Sequence, residues 1–206
     1  FNEALIYYSQ IQNKIKNDPL AQEARFKVAK TSYFKGDFEW AKTQLDILKK
    51  STSQLIANNA MELSLLISDN SLEDTTQTAL KKYAKADLLK LQEKYSQSLL
   101  SLDEILKNHK GESIEDEALF LQAKIYELTG NYERAVSNYL EIIEFHNEDI
   151  LADNAFFYLA ELYNKTLEQP EKAKEFYEQI IFNHQDSIFF VEARKQYRSI
   201  RGDAIN

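Results

Sequence analysis

A small residue, followed four positions later by Leu or an aromatic and three further by Ile or Leu, recurs along the chain. The instances are Ala4/Tyr8/Ile11, Ala41/Leu45/Leu48, Ser98/Leu102/Ile105, Ala135/Tyr139/Ile142 and Ala173/Tyr177/Ile180. Successive first members are separated by 37, 57, 37 and 38 residues. Steps of four and three stack side chains on one face of a helix. The small residue then lets a neighbouring helix approach, and the two larger ones fill the remaining gap. A period near 37 residues lies in the range of helical solenoids. Ala29, Ala86 and Ala123 each precede the small residue by 12 positions, and Ala160 precedes Ala173 by 13. These alanines mark the first helix of a hairpin, and the recurring triad marks the second.

Short turns separate the two helices. Lys35-Gly36-Asp37 and Thr129-Gly130-Asn131 supply Gly for the left-handed residue that ends a helix. Asn164 to Pro170 is one residue longer and places Pro170 to start the next helix. The turn at 94–97 has no Gly. The 57-residue interval predicts an extra helix at about Ser53 to Ser68, then a polar loop from Asp69 to Asp74, in which Ser71-x-x-Asp74 reads as a cap. Near the start, Ala4, Tyr8, Ile11 and Ile15 form a second-helix stripe with no first helix ahead of it. The expectation is an all-α solenoid of about eleven helices in a right-handed superhelix, with residues 1–206 as one domain. The orphan stripe suggests the C-terminal part of a longer chain.

Tyr126-x3-Gly130-Asn131-Tyr132-Glu133-Arg134-Ala135, followed by Tyr139, closely resembles the tetratricopeptide motif, and Lys35-Gly36-Asp37-Phe38-Glu39-Trp40-Ala41 matches the same stretch. The resemblance covers roughly residues 21–201; most units lack the usual Pro after the second helix, and two lack the turn Gly. The closing Asp186-Ser187, Ala193-Arg194-Lys195 and Ile200-Arg201-Gly202-Asp203 are similar to the C-terminal end of bacterial cell-envelope tetratricopeptide proteins. That group includes the β-barrel assembly lipoprotein and the Tol-Pal coordinator. The resemblance implies a periplasmic setting or the periplasmic face of the outer membrane. It also implies a non-catalytic scaffold that holds a protein or peptide segment.

In such repeats the first helices line the concave face, and positions around each first-helix Ala meet the ligand. Carried onto this chain, that face comprises Phe26, Lys27, Lys30, Tyr33 and Phe34, then Tyr83, Asp87 and Lys90. It continues with Phe120, Lys124 and Glu127, then Asn154, Phe157, Tyr158 and Glu161. Aromatics would anchor a partner, and the lysines would steer an acidic segment of it. The alternative is an architectural or dimerisation domain of a larger receptor or enzyme, docking through the N-terminal helix.

Composition narrows the chemistry. With 44% hydrophobic and 28% charged residues but only 4 Gly and 2 Pro, the chain reads as helical and folded. A formal charge of −8 argues against binding phosphate backbones. With 0 Cys there is no disulfide and no thiolate ligand or nucleophile. The apolar runs are far shorter than the roughly 20 residues of a membrane-spanning helix. No Gly-rich phosphate loop, nucleophile elbow or zinc-protease helix motif is present, so neither catalysis nor a cofactor is expected. His109, His146 and His184 recur at intervals of 37 and 38 residues. They read as helix C-terminal caps, because equivalent positions of stacked units cannot converge on one metal ion. Glu112, Glu115, Asp116 and Glu117, around Ser113-x-x-Asp116, likewise read as helix-start acids. Arg201-Gly202-Asp203 reads as a helix stop.

Overall fold

The computed structural model describes residues 1–15, 18–51, 53–72, 76–147 and 149–203. Among these are eleven α-helices and no strand, an all-α helical-repeat fold. Contacts divide the chain into two compact units, Phe1–Ile114 and Glu115–Asn206, each built from the same hairpin. The first holds α1 (Asn2–Lys14), α2 (Pro19–Phe34), α3 (Phe38–Leu48), α4 (Gln54–Leu72), α5 (Thr78–Leu91) and α6 (Tyr95–Asn108). The second holds α7 (Ile114–Leu128), α8 (Tyr132–Phe145), α9 (Ala152–Glu161), a π-helical turn at Leu162–Thr166, α10 (Pro170–Asn183) and α11 (Phe190–Arg201). The hairpins are α2/α3, α5/α6, α7/α8 and α9/α10.

The repeat positions form the core. Ala41, Leu45 and Leu48 are buried, as are Ser98, Leu102 and Ile105, Ala135, Tyr139 and Ile142, and Ala173, Tyr177 and Ile180. Facing them, Ala29, Ala86, Ala123 and Ala160 are all wholly inaccessible. Ser98 is tolerated where the other complete hairpins have Ala because its hydroxyl donates to the Ala86 carbonyl at 2.7 Å, so no buried polar group is left over. In α1 the corresponding Ala4, Tyr8 and Ile11 are only half-buried.

The turns also repeat. Residues 36, 93, 130 and 168 all take positive φ, at 80°, 59°, 75° and 53°. In three of them the same two backbone bonds close the preceding helix: Gly36 N to Tyr33 O and Asp37 N to Ser32 O, Glu93 N to Lys90 O and Lys94 N to Leu89 O, Gly130 N to Glu127 O and Asn131 N to Tyr126 O. The hairpin without a turn Gly thus forms with Glu93 in the left-handed region, at a cost of about 1–2 kcal/mol. In the fourth hairpin the extra residue is taken up within the helix. The Leu162–Thr166 stretch widens to a π turn, Leu167 N donates to Leu162 O at 3.0 Å, and Gln169 N reaches back six residues to Tyr163 O at 2.8 Å.

The extra helix differs from its sequence reading. α4 runs to Leu72, so Asp69, Asn70 and Ser71 are helical rather than part of a loop. The Asn70 side-chain amide donates to Leu66 O at 2.9 Å and the Ser71 hydroxyl to Ile67 O at 2.5 Å. These bonds to the preceding turn let polar residues continue the helix. Ser71 is therefore no N-cap, and its expected partner Asp74 lies outside the described residues. α4 packs on α3, while α2 meets α5 directly, with Lys30 Nζ 3.9 Å from Asp87 Oδ2. The insertion leaves contact between these first helices in place.

At the start of α7, Ser113 donates to Asn70 Oδ1 at 3.0 Å, and Asp116 Oδ1 accepts from the Glu117 N–H at 2.9 Å. Asp116 is buried, and desolvation holds its carboxyl above the usual carboxylate range, with the Asp149 charge adding to the rise and hydrogen bonds from Glu117 opposing it. The native state therefore holds this proton to higher pH than the unfolded chain, and stability falls as pH rises from the ordinary carboxylate range through the raised value. Asp116→Asn keeps an acceptor for the Glu117 N–H. It is expected to raise the melting temperature at neutral pH and to lose that advantage near pH 3, as thermal melts at both would read. Ala135→Leu should overpack the α7/α8 crossing and cost about 1–3 kcal/mol in denaturant unfolding. Glu93→Gly should stabilise by up to about 1 kcal/mol, since Gly adopts the left-handed turn without steric cost.

Candidate functional site

In the first unit the candidate face comes from α2 and α5. Phe26, Phe34 and Lys90 are half-buried and Lys27 is exposed. Tyr33 is not available to a partner. It is fully buried, its ring 5.4 Å from Phe34 and 5.9 Å from Phe38, because it fills the seam between α2 and the start of α3. Tyr83 is buried as well. Lys30 lies between the Phe34 ring, 5.5 Å from its centroid, and the Asp87 carboxylate, so its charge is offset within the unit.

The second unit gathers its candidates into one aromatic cluster across α7, α9 and the residue before α11. The Phe120 ring lies edge-on to Tyr139 at 5.7 Å and to Tyr158 at 5.6 Å. Tyr158 meets Phe157 at 5.7 Å and Phe189 at 5.9 Å, and Phe157 stacks on Phe189 at 4.3 Å with ring planes 12° apart. Phe157 is buried, while Phe120, Tyr158, Phe189 and Asn154 are half-buried. Phe189 was missed in the sequence because it falls in a connection. Register points only next to it: aromatics stand three positions before the first-helix alanines at Phe26, Tyr83, Phe120 and Phe157, and the same spacing before the buried Ala193 falls on Phe190 rather than Phe189.

Charge in this cluster is internally matched. Lys124 Nζ sits 3.8 Å from the centroid of the Tyr158 ring and 3.0 Å from Glu127 Oε1. Glu127 in turn accepts a short hydrogen bond from the buried Tyr139 hydroxyl. Burial, then the Glu127 charge, pushes the Tyr139 phenol far above its ordinary range, so it stays a neutral donor. The next hairpin repeats the device: Tyr177 Oη donates to Glu161 Oε1 at 2.5 Å, and Glu161 pairs with Lys165. Lys124 is thus tied to the fold rather than projecting toward a ligand, contrary to its expected steering role.

The histidines cap second helices. His109 N, His146 N and His184 N donate to the carbonyls of Ile105, Ile142 and Ile180. Their rings are separately engaged. His109 Nδ1 lies 3.0 Å from Glu112, His146 Nδ1 lies 3.0 Å from Asp149, and the His184 ring packs 5.3 Å from Phe156. Among the described residues no group of His, Asp or Glu is arranged to hold a metal ion. Gly202, with φ of 79°, ends α11, and Arg201 Nε pairs with Asp203 at 3.7 Å. Among the described residues no helix is long and apolar enough to cross a membrane.

Residues 117–146 and 154–187 match the tetratricopeptide repeat family. These segments are the α7/α8 and α9/α10 hairpins, which carry Phe120, Lys124, Asn154, Phe157 and Tyr158. No curated protein and no solved structure matches the chain. Tetratricopeptide repeats as a class mediate protein–protein interaction, and in this chain they coincide with the hairpins that build the aromatic cluster.

Proposed function

We propose that the chain is a non-catalytic scaffold that holds a segment of another protein against its first helices, with the aromatic cluster of the second unit as the main anchor. The observation that carries this reading is the half-buried surface of Phe120 on α7, Tyr158 on α9 and Phe189 just before α11, backed by the Lys124–Glu127–Tyr139 network. Rings held in place by contacts such as Lys124 over Tyr158 lose little entropy when a partner covers them. Within the first unit, Phe26, Lys27 and Phe34 supply a candidate contact patch of their own. Because Lys30 and Lys124 are matched by Asp87 and Glu127, the favoured segment is apolar rather than acidic. The net charge of −8 disfavours nucleic acid as the partner. The resemblance of residues 186–203 supports a bacterial-envelope setting.

A second reading rests on α1. Its Ala4, Tyr8 and Ile11 are half-buried where equivalent residues elsewhere are buried, and Ile6 and Tyr7 are exposed. This helix would then serve as a docking edge. A photo-crosslinking residue in place of Tyr158, and another in place of Tyr7, would distinguish the two in the full chain. With the partner segment thus captured, Tyr158→Ala or Phe120→Ala is expected to raise the dissociation rate about tenfold, with the association rate little changed. Crosslinks formed only at Tyr7, with rates indifferent to both alanine variants, would instead favour the docking edge.

A further inference from the structure

We propose that the solvent face of α11 is a docking surface for an acidic segment of a partner protein, separate from the aromatic cluster. α11 carries Arg194, Lys195, Arg198 and Arg201 against a single acid, Glu192, within 12 residues, in a chain whose overall charge is −8. Ala193 is buried and fixes which side of the helix packs inward. At about 100° per residue, the four cations then fall within an arc of about 120° on the opposite side. Arg194, Lys195 and Arg201 are exposed. Val191 shares their arc and is 76% exposed, and Ile188 just before the helix is 81% exposed.

This arrangement works against the helix that bears it. Arg194 and Arg198 are four apart, and Lys195, Arg198 and Arg201 follow at intervals of three. Like charges at these spacings repel. Favourable placement near a helix C-terminus accounts for Arg198 and Arg201 but not for the cations in the middle turn. Two of these cations meet acids in exposed pairs of small worth in water: Lys195 Nζ is 3.6 Å from Glu192, and Arg201 Nε is 3.7 Å from Asp203 beyond the helix end. Elsewhere in this unit the first-helix charges are matched at close range, as Lys124 is by Glu127 and Glu161 is by Lys165.

The chemistry selects the partner. Guanidinium forks suit carboxylates, with which they form paired hydrogen bonds. The exposed Ile188 and Val191 suit an apolar side chain beside those carboxylates and offer nothing to a nucleic-acid backbone. A helix of this length spans about 18 Å, the reach of a short peptide. An extended anionic bilayer would also meet the remaining acidic surface of the chain, whereas a short segment feels chiefly the charges within about 10 Å of it.

The test uses the full chain and three probes: a labelled peptide of alternating Glu and Leu, phosphatidylserine vesicles and a single-stranded RNA oligonucleotide. The peptide is expected to bind at low salt and to lose that binding at about 1 M sodium chloride, where the screening length is about 3 Å. Its Gln-for-Glu analogue should not bind. Arg194→Glu with Lys195→Glu should weaken peptide binding about tenfold or more while leaving the melting temperature close to that of the parent. If that pair disturbs folding, Arg194→Gln with Lys195→Gln should still weaken binding severalfold. Equal binding of the Gln analogue, peptide binding indifferent to these substitutions, or tighter binding of vesicles or RNA through the same residues would each overturn the proposal.

Discussion

Helices in these hairpins can cross closely only where both surfaces offer a small side chain, and much of the molecule depends on that approach. Ala29, Ala86, Ala123 and Ala160 on first helices, with Ala41, Ser98, Ala135 and Ala173 on second helices, have no accessible surface. Close crossings bring the next positions of the second helix into the hairpin, where Tyr139 and Tyr177 are large enough to fill the space. A phenol placed there carries a hydroxyl that must be satisfied. Glu127 and Glu161 accept those bonds. Each carboxylate then recruits a lysine, and Lys124 comes to rest over the Tyr158 ring. A packing requirement inside the hairpin thereby propagates to the arrangement of the surface cluster.

The same propagation separates two kinds of cation. Lys30 and Lys124 belong to networks that begin in the fold, so their charge is neutralised where it sits and contributes position more than potential. On α11, Arg194 and Lys195 are exposed on the side away from the buried Ala193, and Lys195 faces Glu192 across 3.6 Å. One chain can therefore present a charge-matched aromatic surface and, on α11, a helix carrying four cations against one acid, despite its acidic total.

The fold was legible because its constraint is periodic. Small–large–large spacing located every second helix, and the preceding alanines located the first helices. Features set by tertiary context were not legible. Tyr33 has the same residue type and helix as surface candidates, but its neighbour Phe38 across the turn encloses it. Asp69 to Ser71 have loop composition, yet side-chain bonds to the preceding turn keep Asn70 and Ser71 helical. Lys124 and Glu127 share a helix face in the sequence, but only the fold shows that they pair with each other at 3.0 Å. Phe189 carries no helical periodicity, because this ring stacks on Phe157 from the connection before α11.

The π turn at Leu162–Thr166 shows how such an array copes with a change of length. One added residue in an α-helix turns everything after it by about 100°, enough to swing a buried face toward water. Here the added residue is spent on widening a single turn, and Ala160 and Ala173 remain buried on either side of it. Rotational phase is thus restored before the chain reaches its next crossing. Single-residue insertions near the ends of first helices are the mutations this architecture can absorb without losing register, and lineages built from it are free to vary in length there while their cores stay in step.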